Sequence, residues 1–230
     1  MRHLLVMRSM HTYIKIALTV ILVFTGFSSF SQKRITEGTI TYDLIVQTGN
    51  SNPTIADMFN GASSVVYLKG YLCRFDIANA LGVQSTIVDK KTGDVNVIKE
   101  FGEQKYIIKM TSDNWLDANK KYDSIQFRFT EEYKDIAGYH CQKAVGTMKD
   151  GTVLNVFFTR ELIADNREFE YAYKNLPGLA MEYETSIGSY KITYRVSKIN
   201  FNIVSSSKFD LPKSGFRIMS YEESQSVSEE

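Results

Sequence analysis

The chain has 230 residues, and its 27 Lys and Arg against 26 Asp and Glu give a formal net charge of +1. This balance argues against a nucleic-acid-binding protein, because binding to a phosphate backbone needs a basic excess or a basic patch. The length that remains beyond a leader fits one domain with a sizeable core.

The first 31 residues are typical of a signal peptide. An apolar stretch over 14–24 follows a basic start, and Ser29 and Ser31 are small residues at the positions that a signal peptidase reads. We predict cleavage after Ser31 and a periplasmic or secreted protein without a transmembrane span, since the apolar core is shorter than the roughly 20 residues of a bilayer span. A membrane anchor is the alternative, and Met1 and Met10 are both candidate start residues.

Two cysteines, Cys73 and Cys141, are the whole cysteine content of the chain. In an exported protein such a pair can form a disulfide. Each also lies in an alternating apolar stretch, where a free cysteine behaves as a small hydrophobic residue. The sequence leaves both possibilities open.

Short stretches in which apolar residues alternate with polar ones predict β-strands along most of the remaining chain. They cover 38–47, 65–68, 71–77, 83–89, 94–99, 105–110, 125–129, 139–147, 152–159, 179–184, 190–197 and 216–221. Short helices are predicted within 54–61 and after Ser112. Because the links between strands are short, neighbouring strands are expected to be antiparallel.

These elements predict one mainly β domain over 32–221 with roughly ten to twelve strands and one to three short helices. The polar, acidic residues 222–230 are predicted to be a disordered tail.

A rigid turn is predicted to lead into the strand at 179–184. It consists of Asn175, Leu176, Pro177, Gly178 and Leu179. Pro177 fixes its own φ and favours an extended Leu176. Gly178 can adopt a backbone angle that is unfavourable for other residues.

Three blocks resemble the core of the GLPGLI family, whose members are exported proteins, mainly of Bacteroidetes, with no established activity. The blocks are IAGYHCQKA over 136–144, VFFTREL over 156–162 and NLPGL over 175–179, and the opening EGTITY over 37–42 is similar as well. The chain departs from the naming motif at Asn175 and Ala180. The resemblance implies an open half-barrel like those of periplasmic lipoprotein carriers, in which a single curved antiparallel sheet wraps short helices over an apolar cavity.

A cavity of this kind needs apolar residues on the concave face of the sheet. The candidate lining residues are Tyr42, Phe127, Phe158, Met181 and Tyr194. The alternative is that these side chains only fill the core.

The sequence offers little catalytic chemistry. His140 is the one histidine beyond the leader. A dyad with Cys141 needs a bulge in the strand, because neighbouring residues of a regular strand point to opposite faces, so a histidine on the surface of the sheet is the simpler interpretation. Glu182 and Glu184 share a strand face and are the candidate carboxylates of a hydrolase or a Ca²⁺ site, although a solvated face is the simpler interpretation. No cofactor motif is present.

The sequence therefore predicts an exported, non-catalytic binding protein that holds a lipid, an acylated chain or another apolar ligand. An envelope protein–protein interaction module is the alternative, and a carboxylate-based hydrolase is the weakest of the three hypotheses.

Overall fold

The structure is a computed structural model that describes residues 31–47, 61–187 and 190–228. The predicted signal-peptide residues 1–30 and almost all of the predicted helical segment 54–61 lie outside the described residues.

Fourteen strands and two short α-helices are present in the described residues. The strands are β1 (Lys33–Ile35), β2 (Glu37–Gln47), β3 (Ser63–Lys69), β4 (Leu72–Asn79), β5 (Gly82–Asp89), β6 (Val95–Phe101), β7 (Gln104–Met110), β8 (Gln126–Ile136), β9 (Tyr139–Thr147), β10 (Val153–Thr159), β11 (Leu162–Ala164), β12 (Leu179–Ile187), β13 (Tyr190–Asn200) and β14 (Arg217–Ser220). The helices are α1 (Ser112–Asn119) and α2 (Tyr221–Ser228), and 3-10 helices cover Lys120–Tyr122, Glu168–Tyr173 and Ser206–Phe209.

Twelve strands form one open, mostly antiparallel sheet, which confirms the predicted fold class. Its strand order is β14-β7-β6-β5-β4-β3-β2-β13-β12-β10-β9-β8. Two pairings are parallel and were not predicted: β14 pairs with β7 in the large sheet, and β1 pairs with β11 in a separate two-stranded ribbon.

One face of the sheet carries most of the core, and we call it the inner face. Ile40, Tyr42 and Leu44 of β2 point to this face and belong to one buried cluster with Tyr194 of β13. The ribbon of β1 and β11 contributes Ile35 and other buried residues to the same cluster, so it covers part of the inner face. The opposite, outer face is covered near β5, β6 and β7 by the segment 209–216.

Helix α1 extends the cover of the inner face. Its N-cap is Thr111, whose hydroxyl accepts a hydrogen bond from the Asn114 backbone N–H at 3.2 Å. Trp115 in the first turn packs against the cluster of Val88 and Met110.

The predicted disordered tail is wrong for most of its length. Residues 221–228 form helix α2, in which Tyr221 packs against the cluster of Val88 and Met110. Asn114 donates a hydrogen bond to Glu222 at 3.1 Å, and the Ser220 hydroxyl accepts one from the Glu223 backbone N–H. These contacts order a segment whose composition alone favours disorder.

The cysteines are free thiols, so the structure contradicts a disulfide between them. Cys73 lies on β4 and Cys141 on β9, and five strands of the sheet lie between β4 and β9. Both side chains are fully buried, and burial raises the pKa of the Cys141 thiol to about 12. They act as small core residues.

Gly178 is required for close packing rather than for an unusual backbone angle. Its φ is not in the left-handed region, but a Cβ at this position would lie 1.9 Å from the carbonyl oxygen of Thr159. The turn over 175–179 therefore lies directly against the end of β10, where no side chain fits.

We expect Gly178→Ala to lower the free energy of unfolding by roughly 1–3 kcal/mol, because the added methyl group meets backbone atoms that cannot move freely. Urea denaturation measures the change. Asn175→Ala, at an exposed position of the same turn, is the control and should change stability by no more than about 0.5 kcal/mol. An equally stable Gly178→Ala protein would contradict this account of the turn.

Candidate functional site

A buried ion pair fixes the segment that covers the inner face. The Arg167 side chain donates hydrogen bonds to four backbone carbonyl oxygens, those of Tyr173, Lys174, Leu176 and Gly178, at 2.7–2.9 Å. Its Nε donates to Glu170 at 2.5 Å, and the other carboxylate oxygen of Glu170 accepts from the Ala180 backbone N–H at 2.9 Å. One guanidinium group thus holds both the end of the 3-10 helix Glu168–Tyr173 and the turn that follows it.

The environment of Glu170 explains why this pair matters for stability. Glu170 is buried, and burial raises its pKa, while the Arg167 guanidinium and the Ala180 N–H act in the opposite direction. A buried carboxylate that loses its cation is costly, because nothing replaces the lost solvation.

Two further contacts tie the turn to distant parts of the chain. The Tyr42 hydroxyl of β2 donates to the Ala180 carbonyl at 3.0 Å, and the Gln32 side chain donates to the Pro177 carbonyl at 2.9 Å. The segment that leads into β12 is therefore held from β2 and from the N-terminal side of β1.

Aromatic rings from this segment lie over the inner face. Tyr171 meets Trp115 edge-to-face, with 6.3 Å between ring centroids. Tyr173 lies 4.8 Å from Tyr183 of β12, and Tyr183 stacks on Tyr194 of β13 at 4.9 Å. Tyr183 is therefore the centre of a tyrosine cluster between the 3-10 helix and the sheet.

Two adjoining cavities remain beside these rings. The larger has a volume of about 210 Å³, and the smaller has a volume of about 160 Å³. Phe75, Phe169, Tyr183 and Thr185 line both of them. We call the pair of cavities the aromatic hollow.

The predicted lining residues are only partly brought together. Tyr42 and Tyr194 line the smaller cavity of the hollow. Phe127 lines a separate depression on β8 and β9. Phe158 and Met181 are fully buried in the packed core, so the structure does not place them in a cavity.

Several residues of the hollow were missed from the sequence. Trp115 and Phe169 lie outside the predicted strands, in α1 and in the 3-10 helix, where no period-2 alternation marks them. The available signal was the spacing of aromatic residues in FEYAY over 169–173. Phe75 and Tyr183 lie within predicted strands and were not selected.

Tyr173, Tyr183 and Tyr194 are among the residues that line the hollow. Their hydroxyl groups make no hydrogen bond to another residue in the described part of the chain. Burial raises the pKa of each of the three, so the phenols are neutral donors at ordinary pH. The hollow thus combines apolar rings with a few hydrogen-bonding tips, the usual composition of a small-molecule site.

The carboxylates proposed for a hydrolase or for Ca²⁺ binding are engaged in ion pairs. Glu182 lies on the outer face and accepts hydrogen bonds from Lys134, at 2.5 Å, and from Arg195. Burial raises the pKa of Glu182, but these two cations outweigh it and hold the pKa below its usual value. Glu184 pairs with Lys191 at 3.2 Å. An ionised carboxylate between two cations lacks the raised pKa of a general acid.

His140 and Cys141 are not brought together either. His140 is exposed, stacks on Tyr133 and places Nδ1 3.0 Å from Asp135, whereas the Cys141 thiol is buried and donates to the Tyr139 carbonyl. Within residues 31–47, 61–187 and 190–228, no three His, Cys, Asp or Glu side chains gather as a metal site. Over the same ranges, no helix is both long and apolar enough to span a bilayer.

Comparisons with known proteins give distant likenesses of structure. No protein-family model matches the chain, and no curated protein matches its sequence. A structure of PNGF-II is 10% identical to this chain, with a TM-score of 0.45. The match covers 84% of this chain and 32% of the PNGF-II chain. An uncharacterised conserved protein from Thermus thermophilus is 10% identical, with a TM-score of 0.47. That match covers 81% of this chain and 91% of the Thermus thermophilus chain.

MucB in complex with MucA(peri) is 10% identical with a TM-score of 0.38, covering 76% of this chain and 55% of that one. With respect to PNGF-II, this chain spans only about a third of the length of the chain that it matches. Likenesses at this level carry no argument about function, and the GLPGLI resemblance stays a prediction.

We expect Arg167→Ala to lower the free energy of unfolding by about 3–5 kcal/mol, because it leaves Glu170 buried without its cation. Urea denaturation measures the loss. Adding Glu170→Gln should recover part of it, since a neutral amide needs no cation. Arg128→Ala, which removes an exposed arginine of β8, should change stability by no more than about 0.5 kcal/mol. A loss of similar size in both arginine variants would contradict the role of the ion pair.

Proposed function

We propose that this protein is an exported, non-catalytic binding protein that holds a small apolar ligand in the aromatic hollow. The observation that carries the proposal is the hollow itself. The core on either side of it is closely packed, with Phe158 and Ile192 fully buried, yet space remains between the 3-10 helix and β12.

The volume of the hollow limits the ligand. An apolar cavity of about 150 Å³ is large enough to bind benzene. Cavities of about 210 and 160 Å³ therefore suit one ring-sized group each, or a single acyl chain that passes from one to the other. A lipid with two or three acyl chains would extend well beyond the two cavities.

The sequence supports the remaining parts of this proposal. The leader over 1–31 supports export to the periplasm or the medium, and the GLPGLI resemblance supports a family of exported proteins. The ion-paired state of Glu182 and Glu184 favours binding over carboxylate catalysis.

We expect the purified protein to bind the neutral dye N-phenyl-1-naphthylamine, whose fluorescence rises in an apolar site. Thr185→Phe places a ring beside both cavities and should weaken binding about tenfold or more, a change of about 1.4 kcal/mol. Thr41→Phe, on the outer face of β2, is the matched control and should bind the dye as well as the unmodified chain does. A protein that ignores the dye and releases no apolar molecule on solvent extraction would refute the proposal.

The edge strand β8 favours a second candidate function, an envelope protein–protein interaction module. This strand ends the large sheet, and its Phe129 and Tyr133 are 43% and 45% exposed. Open strand edges and exposed aromatic residues are both common in protein interfaces.

This second function predicts one reproducible envelope protein in pull-downs with the immobilised chain. Tyr133→Ser should abolish its capture, because the exposed ring is lost, whereas Tyr71→Ser removes a similarly exposed ring from the turn before β4 and should not. If both variants capture the same proteins, β8 is not the interface.

A further inference from the structure

The larger cavity of the hollow differs from a general apolar pocket in the charge of its lining. Aromatic rings of Phe75, Trp115, Tyr171, Tyr173 and Tyr183 surround it. No Lys or Arg lines either cavity within the described residues, whereas glutamates do line the larger one. Electron-rich faces of aromatic rings together with carboxylates attract cations.

Glu168 supplies the charge that is not neutralised. One of its carboxylate oxygens accepts a hydrogen bond from the Trp115 indole N–H at 2.8 Å. Among the described residues no cation forms an ion pair with Glu168, and its second carboxylate oxygen has no hydrogen-bond donor. By contrast, the neighbouring Glu170 is neutralised by Arg167.

Resting on the function proposed above, we propose that the larger cavity binds an organic cation, a quaternary or protonated amine with apolar substituents. The alkyl groups of such an ion lie against the aromatic faces, and its charge is balanced by Glu168. This pairing of rings with a carboxylate is the general chemistry by which proteins recognise quaternary ammonium groups.

The same lining disfavours other head groups. A carboxylate or phosphate would lie close to Glu168, and no basic side chain lines the cavity within the described residues. The nearby Lys174 lies over the Tyr171 ring and pairs with Asp123. The uncompensated charge is costly in a partly desolvated site. A trimethylammonium group is about the size that a cavity of 210 Å³ accepts. An apolar chain attached to it can continue past Tyr183 toward Tyr42 and Tyr194.

The single tryptophan of the chain makes the test direct. Trp115 lines the cavity, so its fluorescence reports on occupancy without a label. Choline and its neutral isostere 3,3-dimethylbutan-1-ol have nearly the same shape and differ in charge. Titration of the full-length protein with each should show choline binding about tenfold more tightly than the alcohol.

The substitution Glu168→Gln keeps a hydrogen-bond acceptor for Trp115 and removes the charge. It should remove the larger part of the preference for choline, because only the aromatic faces then attract the cation, and leave the affinity for the alcohol unchanged. Glu103→Gln removes an exposed glutamate from the turn between β6 and β7 and serves as the control, with the preference for choline intact.

Each other outcome is decisive. If the alcohol binds as tightly as choline, or if Glu168→Gln keeps the preference undiminished, the cation proposal is overturned while binding of apolar ligands stands. If choline, the alcohol and N-phenyl-1-naphthylamine all fail to bind, the cation proposal and the proposed function are overturned together.

Discussion

The contact between Arg167 and Glu170 organises the covered side of the sheet. An arginine has five donors in a rigid fork, and here they serve one carboxylate and four carbonyl oxygens between Tyr173 and Gly178. These carbonyl groups belong to the end of a 3-10 helix and to an irregular turn, so strand pairing cannot satisfy them. The ion pair therefore makes it possible for a non-repetitive segment to lie over the inner face with its polar backbone groups bonded.

A bulge in β12 completes this arrangement. Phe157 pairs with Glu182 and Phe158 with Ala180, so Met181 is the extra residue. Leu179 and Met181 consequently pack with the ribbon residues Ile35 and Leu162, while Ala180 packs with Phe158. Tyr183, beyond the bulge, is free to face the hollow. The close packing at one end of β12 and the open space at the other follow from the same change of register.

The strands could be predicted from the sequence because most of them have one buried face, and period-2 alternation records this directly. The 3-10 helix Glu168–Tyr173 could not be predicted from the sequence. Its conformation depends on hydrogen bonds from the Arg167 side chain to backbone carbonyl oxygens, and these bonds follow no periodic sequence pattern. The ribbon of β1 and β11 has three residues in each strand, too few to show a period. The alternating pattern also predicted that Met181 lines the cavity together with Tyr194, whereas Met181 is fully buried in the core. The bulge at Met181 could not be detected, because it does not change the order of apolar and polar residues in the sequence. Of the predicted lining residues, only Tyr42 and Tyr194 therefore line the hollow, and the residues that come from the covering segment were not predicted.

The acidic residues of β12 and those of the 3-10 helix Glu168–Tyr173 are neutralised to different extents. On β12, Lys134 and Arg195 neutralise Glu182, and Lys191 pairs with Glu184, which also lines the larger cavity. In the 3-10 helix, the Arg167 Nε neutralises Glu170, and its other four donors bond to backbone carbonyl oxygens. Among the described residues, the Glu168 side chain accepts a hydrogen bond only from the uncharged indole of Trp115. A carboxylate beside the faces of aromatic rings attracts a cation. In the function that we propose, the charge of Glu168 selects the ligand and the volume beside it limits the ligand's size.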